Sequence, residues 1–398
     1  MISISDALEI IEQNTPSLEA EHVALADAVG RVLADEIYAD MDLPPFNRSQ
    51  MDGYAVKSDD TKGVPVKLRI AGESAAGKGW KGELKRGEAV RIMTGAPVPA
   101  GADAVQKVEV TNEDGEFVEI LKAAKAGENI VERASEIEGG EKVFEKGEII
   151  SPAMISSLAS FGYVKIKVGK RPQAAILATG NELVPVEQTP AEDEIRNSNS
   201  IALKIYAEAS GAQVSIPALV GDNIEDLKSA IFSATQNSDV LILSGGVSVG
   251  KYDFTKTALR ELGAEIRFER VALRPGKPTV FGKLNQTLVF GLPGNPVSAI
   301  VTFNLFVRPA LLRMQGASRG SLRSGFAVLK NKIKGAKERD SYLPAKIETN
   351  EKGQLIAESL RWGGSSDFVS FARADALVFV PRDEILETKS IVKIIFLN

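Results

Sequence analysis

The sequence predicts a multidomain protein of α/β and β-rich parts. A central, mainly parallel α/β domain is expected over 173–317, a β-rich domain over 46–144, and a small C-terminal β-barrel or sandwich over 318–398. Three observations carry this prediction. Between Gln173 and Gly316, apolar strand-like runs alternate with glycine loops and helical segments, the pattern of a parallel sheet covered by helices. From Val64 to Val143, short alternating runs are separated by Gly, Pro and Asn-Glu-Asp-Gly turns. Past residue 318 the chain returns to short strands. A length of 398 residues is itself more than one ordinary core supports.

In chain order, MISISDALEIIEQN is an amphipathic helix candidate that carries acids, unlike a signal peptide. A turn at Thr15-Pro16 follows, and then a second helix is expected around Leu25 to Ala34. SPAMISSLASFG reads as a helix that opens on Ser151-Pro152 and closes on Gly162, followed by strand-like YVKIKVGKRP. These pieces make a helical and extended linker domain, 1–45 and 145–172. The β-rich domain is built from VPVKLRIAGE, EAVRIMTGAPVP, DAVQKVEV and EFVEILKA. In the α/β domain, AAILAT leads to GNELV, QVSIPALV to GDN, DVLILS to SGGVSVGKYD and TLVFG to LPGNP. SIALKIYAEASG, IEDLKSAIFSAT and VSAIVTFNLFVRPALLRM are the helices between or after them. GFAVLKNKI, YLPAKIET, QLIAESL, ALVFVP and SIVKIIF supply the last strands.

Composition narrows the chemistry. Cysteine is absent and His22 is the only histidine, which excludes disulfides, thiolate nucleophiles, Ser-His-Asp triads and the usual zinc sites. His22 lies in a polar-to-amphipathic passage and is expected at the surface. Any metal must take oxygen ligands, which favours magnesium. A net charge of −5 gives no general reason to expect nucleic acid. No apolar run approaches bilayer length, so no membrane partner and a cytoplasmic location are expected.

The stretch SGGVSVGKYDFTK has the G-x-x-x-x-G-K spacing of a P-loop from Gly245 to Lys251, but Tyr252 stands where that motif needs a hydroxyl for magnesium. It is one of four glycine loops that follow apolar strands, with TGNEL, VGDN and LPGNP. Three of them carry an acid: Glu182, Asp222 and Asp253. In a parallel sheet these loops share one edge, so the acids suit a magnesium ion on a phosphorylated ligand; alternatively they cap helices and the glycines merely turn the chain. RVALRPGKP presents Arg270, Arg274 and Lys277 about a Pro-Gly turn, suited to a tetrahedral oxyanion or to solvent. In LPGNPVSA, Pro293, Gly294 and Asn295 lead into a helix start whose amides form an anion cradle, with Asn295 as cap and Pro296 in the first turn. PPFNRSQMDGYAV and RIMTGAPVPAGADAV contain Asp52, Thr94 and Asp103 in turns.

These last two stretches, with TGNELV, SGGVSVGKYDFTK, RPGKP and GLPGNPVSA, resemble in order and approximate spacing the MoeA/gephyrin-E-domain family of molybdopterin molybdenumtransferases. The resemblance covers essentially the whole chain. It implies molybdenum insertion into adenylylated molybdopterin with release of AMP, the final step of molybdenum cofactor biosynthesis, in a magnesium-dependent reaction. It also implies an elongated homodimer whose cleft is completed by the partner, a central domain similar to the molybdopterin adenylyltransferase fold, and transient contact with such an adenylyltransferase.

Position by position, the resemblance assigns Glu182, Asp222 and Asp253 to the acidic wall of the cleft, with Glu182 and Asp253 on magnesium. It assigns Arg270, Arg274 and Lys277 to molybdate and phosphate, and Asp52 and Thr94 to a face that meets the cleft across the dimer. Ser244, Gly245, Gly246, Pro293, Gly294 and Asn295 fall in the substrate loops, and Glu136 and Arg339 at further substrate positions. The sequence departs from the common pattern at Asn47-Arg48, Asn181, Asn197 and Glu136, and carries arginine at 270 and 274 where some members have lysine. A scaffold of the gephyrin type, or another nucleotide-processing enzyme sharing the α/β domain, is the alternative.

Overall fold

The computed structural model describes residues 1–217, 219–221, 223–246, 254–361 and 363–397. They form two compact units. One holds Met1–Asp35, Lys146–Ile155 and Val164–Asn398, and the other Glu36–Glu145 and Ser156–Tyr163.

The first helix, α1 (Ile4–Asn14), starts in a capping box in which Ser3 and Asp6 satisfy each other's backbone N–H groups. It buries Ile4, Ala7 and Ile11, one stripe at helical spacing. His22 is exposed on the strand Ala20–Ala24, which pairs antiparallel with Lys165–Gly169. The helix expected at Leu25 to Ala34 is not formed. Only Leu25–Asp27 makes a short 3-10 turn; Gly30 then reverses the chain, and Val32 and Leu33 bridge to Ile149 and Val168. Sheet-like pairing with a distant segment has overridden local amphipathic spacing there. Helix α2 (Pro152–Ser160) forms as expected and is followed by Gly162 in the left-handed region.

The α/β part is a six-stranded sheet made of β1 (Gln173–Ala178), β2 (Gln213–Ser215), β3 (Val240–Ser244), β4 (Glu265–Phe268), β5 (Val280–Leu284) and β6 (Thr287–Leu292). Its spatial order is β2-β1-β3-β6-β5-β4. Strands β2, β1, β3 and β6 run parallel, whereas β5 and β4 add an antiparallel edge. The sheet is therefore mixed. The edge arises because β5 and β6 are joined by the tight turn Asn285-Gln286, which only an antiparallel pair permits.

Helices cover both faces, and the two-residue period of the strands sorts the core. Ala174, Ile176, Val240, Ile242, Leu288 and Phe290 pack with α1, with Leu203 and Ala207 of α3 (Ser198–Ala209), and with Val301, Phe303 and Phe306 of α6 (Pro296–Met314). Ala175, Leu177, Leu241, Leu243 and Val289 pack with Leu227 and Ile231 of α4 (Ile224–Thr235) and Ala258 and Leu259 of α5 (Phe254–Glu261). Strands buried on both faces explain why the sequence shows continuous apolar runs there.

Helix α6 is long and apolar enough to cross a bilayer, which the expectation of no run of that length did not anticipate. It is 72% buried inside the unit, as a core helix is. Its middle, Phe303–Val307, widens into a π-helical turn just before Pro309, whose missing N–H breaks the regular ladder.

Residues beyond 323 form β7 (Ser324–Leu329), β8 (Asp340–Thr349), β9 (Leu355–Ser359), β10 (Ala376–Val380) and β11 (Ile391–Phe396). The long β8 pairs with β10 through Ser341–Ala345 and with β9 through Ala345–Thr349. With β9 on β7, β7 on β11 and β11 on β10, the ring closes into a barrel. Ala327, Leu343, Ala345, Ala357, Val378 and Ile394 fill it.

The second unit holds another six-stranded sheet, in the order Ala104–Lys107, Gly53–Val56, Glu88–Ile92, Val66–Ser74, Phe117–Ile120 and Thr111–Asp114. Its last two strands make a hairpin that turns at Gly115-Glu116, so that Asn112, Glu113 and Asp114, expected in the turn, pair in the strand instead.

Candidate active site

At the C-terminal ends of β1, β3 and β6, the following loops line one cleft of about 980 Å³. This is where an open α/β sheet collects ligands, because the strand-end loops diverge while the backbone groups beyond the ladder point outward. Of the residues assigned from the sequence, Glu182, Ser244, Gly245, Gly246, Pro293, Gly294 and Asn295 all line it. Asp222 and Asp253 lie outside the described residues.

The glycines of the β3 loop are required by close packing. Gly245 has φ +95°, and a Cβ there would sit 2.5 Å from the Thr179 carbonyl oxygen. Gly246 has φ +63°, and its Cβ would fall 2.2 Å from Thr255 Oγ1. Backbone of the β1 and β3 loops thus meets with no room for a side chain. The ladder continues into the loops, with Thr179 N–H donating to Ser244 O and Gly245 N–H to Leu292 O. Thr179 Oγ1 is buried on the cleft wall with no hydrogen-bond partner, an orphaned hydroxyl of the kind a ligand satisfies.

Glu182 is exposed on the wall, and its side chain has no partner among the described residues. Its carboxylate folds back over Gly180, whose Cβ would approach Oε2 within 2.4 Å. Among the described residues no three His, Cys, Asp or Glu side chains group closely enough to hold a metal. Magnesium does not demand such a cage, since it takes one or two carboxylates with phosphate oxygens and water. A free carboxylate in this cleft fits that donor set.

Asn295 corrects one expectation. It occupies the cap position of α6, but its side chain makes no capping bond and instead donates from Nδ2 to Ser365 Oγ at 2.8 Å. The N–H of Val297 is likewise taken by Ser365 O at 3.1 Å. The cradle of free amides expected after Pro296 is therefore partly occupied by the chain's own 363–367 segment, which sequence reading had no means to place.

Asn199 was not singled out from the sequence. From the first turn of α3 its Nδ2 donates to Ser244 Oγ at 3.0 Å and to Gly294 O at 2.8 Å, tying the β3 and β6 loops together. Asn197, two residues earlier, caps α3, accepting from Ser200 N–H and donating to Ser200 Oγ. Its amide makes both bonds, whereas an aspartate could only accept. Among the described residues Phe368 is the aromatic side chain on the lining, and it was also missed. It opens the short helix α7 (Phe368–Phe371), capped by Asp367, whose carboxyl is held below its ordinary range by the Gly363 and Ser370 N–H groups.

The basic residues assigned to oxyanion binding do not line this cleft; their neighbour Pro278 does. Arg270 is exposed, and Arg274 and Lys277 are half-buried. Leu273-Arg274 runs parallel to Asp340-Ser341 at the start of β8, and Asp340 N–H donates to Ala272 O. Arg339 and Arg274 are thereby brought onto adjacent backbones although far apart in sequence. None of these four cations has an ion pair among the described residues, while Asp340 pairs with Arg382.

Asp52, Thr94 and Glu136 belong to the second unit. Thr94 donates both its N–H, at 2.6 Å, and its hydroxyl, at 2.9 Å, to Asp52 Oδ1. These two bonds hold the Asp52 carboxyl below its ordinary range. Glu136 is exposed and 3.9 Å from Arg48, so two of the positions that depart from the family pattern face each other.

Three family models match in succession: "MoeA N-terminal region (domain I and II)" over residues 2–162, "Probable molybdopterin binding domain" over 175–313, and "MoeA C-terminal region (domain IV)" over 327–397. The molybdopterin molybdenumtransferase of Haemophilus influenzae is 34% identical over 378 residues, covering 94% of this chain and 93% of that protein. The enzyme of that name from Staphylococcus epidermidis is 34% identical over 384 residues, 96% of this chain and 91% of that one. Among solved structures, a molybdopterin biosynthesis MoeA protein from Pyrococcus horikoshii superimposes with TM-score 0.81 at 33% identity, covering 100% of this chain and 99% of that chain. A second MoeA structure, from Pyrococcus horikoshii OT3, gives TM-score 0.86 at 28% identity over the whole of both chains. With every region matched in order and relatives above 30% identity along nearly its full length, the chain belongs to the MoeA family.

Proposed function

We propose that this protein is a molybdopterin molybdenumtransferase that inserts molybdenum from molybdate into adenylylated molybdopterin and releases AMP, completing the molybdenum cofactor. The observation that carries the reading is the cleft at the parallel strand ends, walled by closely packed glycine loops, an unpartnered carboxylate and an orphaned hydroxyl, in a chain whose full-length relatives bear that enzyme name.

In this reading the β3 and β6 loops bring backbone against the flat pterin and the phosphates, and Asn199 keeps the two loops at a set separation. Glu182, with Asp253, would hold magnesium, which when bound offsets the negative charge of the pyrophosphate. Positioning and electrostatics then supply the acceleration, with no covalent nucleophile. Arg270, Arg274, Lys277 and Arg339 form a separate basic group suited to molybdate. Asp52, Thr94 and Glu136 would complete the site from the partner of a homodimer working in the cytoplasm, where an adenylyltransferase hands over the substrate.

The test is AMP release from adenylylated molybdopterin with magnesium and either molybdate or tungstate. Release that requires the oxyanion is expected; its absence would overturn the reading. Glu182→Gln should lower kcat on the order of 100-fold or more while leaving the circular dichroism spectrum unchanged. Chelating magnesium should stop release, and re-addition should restore it.

A further inference from the structure

Arg196 was not among the residues assigned from the sequence, yet among the described residues it is the basic side chain on the lining of the main cleft, which it shares with the acids Glu182 and Glu194. It forms an ion pair with neither. Its Nε donates to two carbonyl oxygens of the loop that leaves β1, Val186 O at 2.9 Å and Gln188 O at 3.1 Å. The backbone is held as well, since Leu183-Val184 pairs in parallel with Ile195-Arg196, Ile195 N–H donates to Glu182 O, and Asn197 N–H donates to Val184 O.

The consequence is geometric. Arg196 closes the 183–196 loop with one nitrogen and fixes the plane of its guanidinium by doing so. Both Nη groups, four N–H donors in a planar fork, have no partner among the described residues. Arg196 is exposed, so these donors open onto solvent in the cleft; a fork oriented by carbonyls, with no ion pair to the two carboxylates on the same lining, is arranged for a bidentate anion, and phosphate is the anion whose geometry it matches. The basic residues about the Pro-Gly turn are off this lining, so they do not supply that contact here.

We infer that Arg196 binds the phosphate of the adenylyl group in this cleft, with its Nε bonds to Val186 O and Gln188 O setting its orientation. The inference rests on the proposed function, which places an adenylylated ligand in the cleft. It also assigns the 183–196 loop a task, because the loop's two carbonyls aim the residue that reads the phosphate.

The experiment compares AMP and adenosine as ligands by calorimetric titration of the full chain, in wild type, Arg196→Met and Arg196→Lys. Arg196→Met should weaken AMP by about 10-fold to 100-fold, the loss of a charge-assisted bond. Adenosine affinity should stay within about 2-fold in the same variant, because adenosine carries no phosphate for the fork to bind. Arg196→Lys should recover part of the AMP affinity. Equal weakening of AMP and adenosine would show that Arg196 only braces the loop, and unchanged AMP binding would show that it does not reach the phosphate; either overturns the inference while leaving the proposed function intact. Failure of wild type to bind AMP at all would overturn the inference, whereas the proposed function stands or falls on oxyanion-dependent AMP release.

Discussion

Asn199 shows how one amide can govern the distance between two loops. Both hydrogens of its Nδ2 are used, one on Ser244 Oγ and one on Gly294 O. Aspartate has the same shape and no donor, so Asn199→Asp should set a carboxylate against the Gly294 carbonyl and raise KM in the AMP-release assay by about 30-fold, with each of the two lost bonds contributing about 1 kcal/mol. Asp52 makes a second residue-scale case. Its carboxyl is depressed from the ordinary 3.8 by the N–H and the hydroxyl of Thr94. A carboxylate with a lowered folded-state pKa adds stability above its unfolded value and loses it as pH falls through the folded value. Thr94→Val removes the hydroxyl and keeps the N–H, so an NMR titration should find the Asp52 midpoint moved up toward 3.8 without reaching it.

Strand-end loops are the element on which the site depends, and the β3 loop is the most constrained. Gly245→Ala would place a methyl 2.5 Å from the Thr179 carbonyl oxygen at a φ of +95° that alanine disfavours. About 1–3 kcal/mol of strain is expected, read as a lower urea midpoint, together with loss of turnover as the β1 and β3 loops are pushed apart. The elements themselves were largely legible. Continuous apolar runs marked β1, β3 and β6 because both faces of these strands are buried, and the alternating runs past residue 323 marked all five barrel strands. The segment from Leu25 to Ala34 was misread because helical spacing of its apolar residues is also what two short extended pieces show when a glycine reverses the chain between them. Helix α7 carries one turn and too few residues for any periodicity to register.

Within the larger unit, the barrel and the α/β sheet are joined at a point that no local pattern announces. Leu273-Arg274 adds to the beginning of β8, and Ser365 reaches the start of α6. The barrel therefore contributes Ser366 and Phe368 to the lining of the cleft. Removing β11 by ending the chain at residue 389 should open the ring at both β7 and β10, because β11 pairs with each. The expected result is aggregation on size-exclusion chromatography, since two unpaired strand edges become exposed.

What the sequence determined by itself was chemistry by exclusion and element by period. Without cysteine, and with His22 alone, it left oxygen donors, arginine, lysine and backbone N–H groups as the means of catalysis. Residue spacing located the strands, the glycine loops that follow them, and six ordered motifs with the identity of a family. Tertiary structure decided which side chains share a site. It put Asn199 between two loops, gave Asn295 to Ser365 instead of to its own helix, left Arg270, Arg274 and Lys277 off the main cleft, and brought Arg196 onto it. The physical reason is that period and turn chemistry act over a few residues, whereas hydrogen bonds between side chains and loops are set by strand order and loop path, which the chain acquires only when the sheet forms.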